Sequence, residues 1–137
     1  MSSTAETHDY GITRTVSTGY DETIARVREL LKEEGFGVLT EIDVQRTLKE
    51  KIDKDVAPYV ILGACNPRLA SRALELEPDI GLLLPCNVVV REEADKTITV
   101  AFMDPEAVLQ LVDRAEVTAI AREVRALLQR VCASLKA

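Results

Sequence analysis

The chain has 137 residues, of which 47% are hydrophobic and 29% are charged, and its formal net charge is −6. This size and composition indicate a globular chain with one core rather than a disordered segment. The acidic balance, the lack of a cluster of basic and aromatic residues and the lack of an apolar run of roughly 20 residues argue against nucleic-acid and membrane partners.

The first element in chain order is a polar stretch, residues 1–9, which predicts a disordered tail before a single domain over residues 10–137. The tail contains no apolar stretch of the kind that a secretory signal needs, so we expect a cytoplasmic location. The chain has three cysteines. An odd number without an export signal favours reduced thiols over a disulfide framework.

Alternating residues predict a first strand over residues 10–16, and Arg14 within it suggests an edge position. A first helix is expected over residues 21–34. Asp21 is a plausible N-terminal cap for that helix, and Gly35 can adopt the left-handed conformation that ends it.

A half-buried second strand is predicted over residues 36–43, where apolar and polar residues alternate. Asp43 can then cap a short amphipathic helix over residues 44–52. The run over residues 59–65 is continuously apolar, which is typical of a central strand covered on both faces.

Asn66 followed by Pro67 is the pattern of a helix cap and a first-turn proline, and it predicts a third helix that Pro78 ends. Two β-rich runs then follow, at residues 87–92 and 97–103. They are joined by a short polar segment, which predicts an antiparallel hairpin.

Asp104 and Pro105 repeat the cap and proline pattern and start another helix, and a long amphipathic helix is expected over residues 116–135. The order of elements predicts an α+β fold, a two-layer sandwich in which helices back one mostly antiparallel or mixed sheet of about five strands. The apolar stripe of the last helix either closes the core or extends onto a second subunit.

Several segments together resemble the domain of unknown function 302 family over residues 10–135. They are EGFGV at 34–38, EID at 41–43, LKEK at 48–51, CNP at 65–67, GLLLPCNVVV at 81–90 and DP at 104–105. The resemblance implies a compact α+β fold and a homodimer. It implies no established activity.

Cys65 is the first candidate for chemistry, because it ends a predicted strand directly before a helix. The amide groups and dipole at the start of that helix would favour a thiolate and lower the pKa of the thiol. The alternative is a small apolar residue that finishes a buried strand, as most free cysteines do.

Cys86 repeats the pattern, since each of the two cysteines is followed by an asparagine, Asn66 or Asn87. Parallel neighbouring strands would place the two thiols on opposite rims of the sheet, whereas antiparallel strands would place them on one rim. The repeated pattern favours the shared rim. These four residues form the predicted ligand or metal site.

Two thiolates suit a soft ion such as Cu(I), whereas a closed zinc site needs four ligands. The only histidine, His8, lies in the predicted tail, and Cys132 lies on the last helix. A zinc site would therefore need two subunits. No cofactor is indicated, and a soft metal ion is the one inorganic ligand considered.

Glu41 and Asp43 are secondary candidates, because residues two apart on a strand face the same side and could bind a cation or transfer a proton. The alternative is a solvated strand end in which Asp43 caps the next helix. No catalytic residue is assigned, since the predicted core has no histidine to act as the general base of a hydrolase.

The first functional hypothesis is a dimeric binding or sensing module, not an enzyme, whose small-molecule or soft-metal ligand lies near Cys65 and Cys86. The second is a thiol-dependent enzyme or redox protein that uses Cys65. The third is a structural or interaction protein in which the dimer surface is the functional feature.

Overall fold

The fold was analysed in a computed structural model, which describes residues 5–136. These residues form six strands and five α-helices. The strands are β1 (Glu6–His8), β2 (Gly11–Val16), β3 (Gly37–Asp43), β4 (Tyr59–Cys65), β5 (Cys86–Glu92) and β6 (Ile98–Met103). The helices are α1 (Tyr20–Glu33), α2 (Val44–Ile52), α3 (Pro67–Leu76), α4 (Pro105–Leu109) and α5 (Ala115–Ser134).

The strands form one sheet in the order β1-β2-β6-β5-β4-β3, and every neighbouring pair is antiparallel. The predicted α+β class with a mostly antiparallel sheet is confirmed. The sheet has six strands where about five were expected, because β1 forms within the segment that was predicted to be a tail.

Residues Glu6–His8 pair with β2 through the register Glu6 to Thr13, Thr7 to Ile12 and His8 to Gly11. The tail prediction is therefore wrong for these residues, and residues 1–4 lie outside the described part of the chain. The edge position predicted for β2 is also wrong, because β2 lies between β1 and β6.

The core lies between one face of the sheet and the helices. Its sheet side is built from alternate residues of the central strands, all buried: Val60, Leu62, Ala64, Cys86, Val88, Val90, Ile98, Val100 and Phe102. The helices contribute apolar stripes from α1, α3 and α5, among them Val27, Leu31, Leu69, Ala73, Ile120, Val124 and Leu128. In residues 5–136, no helix is both long and apolar enough to span a membrane.

Local signals set most helix ends. Asp43 caps α2 and Asn66 caps α3 through their side chains, as predicted. Gly35 has a φ of 86°, the left-handed conformation expected where α1 ends. Asp21 is not the cap of α1, because that helix begins one residue before it and its N-cap is Gly19, which has no side chain to accept a bond.

The second face of the sheet, which we call the outer face, carries a row of residues that are register partners across the strands: Ile42, Ile61, Val89, Ala101, Thr13 and Glu6. Ile61, Val89 and Ala101 are half-buried, and Ile42 is exposed. The outer face therefore has an apolar centre that the core does not use.

Candidate functional site

A cavity of about 270 Å³ lies where β4 ends and β5 begins, beneath α3 and α5. Its walls are almost entirely apolar. They are formed by Phe36, Leu39, Ala64, Cys65, Asn66, Leu69, Ala70, Ala73, Leu74, Gly81, Leu84, Pro85, Cys86, Ile120 and Val124. The cavity thus contains both predicted thiols and one of the two predicted asparagines.

Strand pairing brings the two cysteines to the same rim of the sheet. Cys65 is the last residue of β4 and Cys86 is the first residue of β5. These strands are antiparallel, and Ala64 is the register partner of Cys86. Of the two arrangements considered from the sequence, the structure has the one with a shared rim, and neither thiol is in a disulfide.

Both thiols of the cavity hold their protons more tightly than a free cysteine does. Burial raises the pKa of Cys86 to about 12, and the nearby Cys65 contributes in the same direction. Burial also raises the pKa of Cys65. This direction is opposite to the lowering expected from the start of α3, so the thiolate is disfavoured at neutral pH.

Asn66 is positioned by its bonds to the backbone. Its Oδ1 accepts a hydrogen bond from the amide of Leu69 at 3.3 Å, and its Nδ2 donates to the carbonyl of Glu34 at 3.5 Å. The side chain therefore fixes the start of α3 against the end of α1. We assign it a positioning function in the cavity wall.

Asn87 lies elsewhere. It is exposed and pairs with Gly63 in the sheet, and it lines a second apolar cleft, of about 210 Å³, with Val89, Ala101 and Met103 rather than the cavity. The structure therefore brings three of the four predicted residues, Cys65, Cys86 and Asn66, to one cavity and leaves the fourth outside.

Both candidate carboxylates of β3 have a partner within the chain. Glu41 forms an exposed ion pair with Arg28 of α1. Asp43 accepts a hydrogen bond from the amide of Arg46 at 2.9 Å and so caps α2. This arrangement matches the solvated strand end that was the alternative to a cation site, and neither residue lines the cavity.

Within residues 5–136, no group of three or more His, Cys, Asp or Glu side chains is arranged to hold a metal ion. Cys132 is buried on α5 and is not part of the cavity wall. Burial raises the pKa of its thiol, and Arg14 acts in the opposite direction. His8 packs edge-on against Tyr10 beside β2.

The sequence predicted the two cysteines as site residues but did not predict the cavity that they line. Leu69, Ala73, Ile120 and Val124 lie on the apolar faces of the helices α3 and α5, and an apolar face alone does not indicate a cavity. The available signal was the number of small side chains that converge here, since Ala64, Ala70 and Ala73 all line the cavity. Leu39 was also missed, because a β-bulge between Val38 and Thr40 shifts its register.

Comparison with known proteins identifies the family of this chain and a similar solved structure. A family model described as Domain of unknown function DUF302 matches residues 12–135. The crystal structure of an uncharacterized conserved DUF302 protein from Bacillus stearothermophilus is similar, with 36% identity and a TM-score of 0.84. The match covers 90% of this chain and 95% of that chain. None of the curated proteins matches the chain.

Proposed function

This chain belongs to the DUF302 family of domains of unknown function, and we propose that it is a binding or sensing module whose small ligand occupies the cavity beside Cys65 and Cys86. The proposal depends on one observation: an apolar cleft of about 270 Å³, open to solvent, has both thiols and Asn66 in its wall. Small-molecule sites are typically clefts with mostly apolar linings and a few polar groups.

The size and access of the cavity support this function. Its volume of about 270 Å³ is near the lower end of the range for small-molecule pockets. Leu39 and Leu74 line it and yet are 67% and 42% exposed, so they form an entrance from solvent. A ligand can therefore enter without opening the core.

A soft metal ion such as Cu(I) is the second candidate ligand. The supporting observation is that Cys65 and Cys86 share the cavity wall, and two thiolates suit this ion. Binding would release the two thiol protons, so the apparent affinity would rise with pH.

Binding is tested with alanine-methyl NMR spectra of the whole chain. Ethylbenzene, benzoate and Cu(I), the last under reducing anaerobic conditions, are titrated separately. The methyls of Ala70 and Ala73 line the cavity, and the exposed Ala25 on α1 is the internal control. We expect a saturable shift of the two cavity methyls with at least one probe. The absence of such a shift with all three probes would contradict the proposed function.

We further propose that the module is a homodimer that pairs through the outer face of the sheet. Ile42, Ile61, Val89 and Ala101 form an uncharged row across four strands, and Tyr59 lies two residues from Ile61 on the same strand. The nearest charge on this face is Arg91, the register partner of Tyr59, and it is ion-paired with Glu93. The apolar row is suited to a second copy of the same row, because a two-fold axis brings like surfaces together.

The area of the outer face fits this arrangement. Five strands of six or seven residues and the three-residue β1, about 4.8 Å apart, present roughly 570 Å² before the area of the protruding side chains is counted. Stable interfaces bury about 800 Å² on each partner. The outer face therefore supplies most of the required surface, and the loops around it would supply the rest.

Light scattering after size-exclusion chromatography tests the dimer. We expect twice the 15.1 kDa mass of the chain. Ile61→Lys should give the monomer mass, whereas Leu82→Lys, at a residue that is 87% exposed and outside the row, should leave the dimer intact. A monomeric native chain, or a dimer that Ile61→Lys leaves unchanged, would refute pairing through this face.

A further inference from the structure

We propose that the ligand of the cavity is an uncharged apolar molecule of about ten non-hydrogen atoms, an aromatic ring or a short aliphatic chain. This inference rests on the proposed function and specifies its ligand class. The size follows from the volume of about 270 Å³, because an apolar cavity of about 150 Å³ holds benzene.

The walls offer no charge to a ligand. Apart from Cys65, Cys86, Asn66 and Gly81, every residue that lines the cavity is aliphatic, aromatic or proline. No acidic or basic side chain belongs to the lining. An ion that entered would lose its hydration without a partner of opposite charge, which is costly in an apolar site.

The polar groups of the wall are also unavailable to an ionic ligand. Both side-chain polar atoms of Asn66 are hydrogen-bonded to the backbone. At the start of α3, Pro67 has no amide hydrogen and the amide of Leu69 donates to the Asn66 side chain. Cys65 and Cys86 are protonated at neutral pH, since burial raises the pKa of both thiols. The cavity is therefore neutral as well as apolar.

The entrance of the cavity is apolar, like its interior. The β-bulge between Val38 and Thr40 places Leu39 at the rim, opposite Leu74 of α3. Bulges are common beside functional sites, where they redirect a side chain. Two leucines at the rim would desolvate an apolar ligand during entry and would not attract an ion.

The ligand class is tested by comparing ethylbenzene with benzoate, which is of nearly equal size but negatively charged, in titrations of the native chain at pH 7. Alanine-methyl shifts of Ala70 and Ala73 report occupancy. We expect the Kd of ethylbenzene to be at least tenfold lower than that of benzoate. Ala73→Phe should fill the cavity and abolish the saturable shift, whereas Ala25→Phe on the exposed face of α1 should preserve it.

Ala70→Leu provides a second cavity-filling variant at a half-buried residue, should Ala73→Phe fail to fold. If benzoate or Cu(I) binds at the cavity methyls as tightly as ethylbenzene or more tightly, the ligand class is wrong while the proposed function stands. If ethylbenzene binds equally well to both cavity-filling variants that fold, its site is elsewhere and the inference is overturned. If no probe gives a saturable shift, the proposed function fails and this inference fails with it.

Discussion

At the scale of single residues, Cys65 and Asn66 are best explained as parts of a neutral wall. Cys65 precedes a helix start, a position that lowers thiol pKa values in many enzymes. Here the Asn66 side chain accepts a hydrogen bond from an amide at the helix start, and Pro67 has no amide hydrogen. Burial is the main cause of the thiol's raised pKa. The same local sequence that suggests a lowered thiol pKa is therefore found with a raised one.

Asn66→Ala should lower the free energy of unfolding by about 1 kcal/mol, because the helix cap is lost. Asn87→Ala is the matched control, since Asn87 also follows a cysteine but is exposed and has no side-chain hydrogen bond within the described residues. Urea denaturation measures both variants. Equal losses would show that Asn66 does not act as a cap.

The buried thiol of Cys86 makes stability depend on pH in the alkaline range. Its pKa is about 12 in the folded chain and 9.0 ordinarily, so its contribution is complete below about pH 9. That contribution is lost as the pH rises toward 12, because the unfolded chain loses this proton first. The free energy of unfolding should therefore fall between pH 9 and 12.

Cys86→Ala should make this decline shallower from pH 9 upward. Tyr20→Phe is the informative comparison, because burial and the nearby Asp43 raise the pKa of Tyr20 from 10.0 to about 12, and its loss should change the decline only above pH 10. Urea denaturation across the range gives the slopes. A Cys86→Ala chain with the slope of the native chain would show that the thiol is not buried in this way.

At the scale of elements, the local signals predicted α2, α3, the β5–β6 hairpin and α5, since caps, prolines and apolar stripes are short-range properties. The features that the sequence did not predict depend on pairing with strands that are distant in the sequence. Glu6–His8 is polar and forms a strand only because it pairs with β2. The bulge at Leu39 is likewise set by pairing between β3 and β4.

The start of α4 is tied to α5 by an ion pair that is largely buried. Asp104 accepts hydrogen bonds from the Nε of Arg125 at 3.1 Å and from the amide of Glu106 at 3.0 Å, and only 6% of the residue is exposed. Asp104→Ala should cost about 2 kcal/mol of stability, because a half-buried guanidinium loses its partner and a helix loses its cap.

Arg72→Ala is the matched control for the ion pair, since Arg72 also joins α5 through Glu123 but both side chains are about half exposed. Its expected cost is below about 1 kcal/mol. Thermal or urea unfolding of both variants gives the comparison. A cost for Asp104→Ala as small as that of the control would mean that the pair contributes little to the α4–α5 contact.

At the scale of the whole molecule, the fold class and the order of elements followed from the sequence, and the strand order did not. The placement of Cys65 and Cys86 on one rim depends on β4 and β5 being antiparallel, which the sequence left open between two arrangements. The cavity was not predicted from the sequence. It depends on how Phe36, Leu69 and Ile120, from three separated segments, fail to fill the space around two thiols.

The most direct test of the account is a crystal of this chain under xenon pressure, since xenon occupies apolar cavities that exclude water. We predict a xenon atom between β4, α3 and α5, in contact with Leu69 and Cys86. The atom should be absent in Ala73→Phe. A native crystal in which xenon avoids this position, with α3 packed directly onto the sheet, would contradict the existence of the cavity and the function built on it.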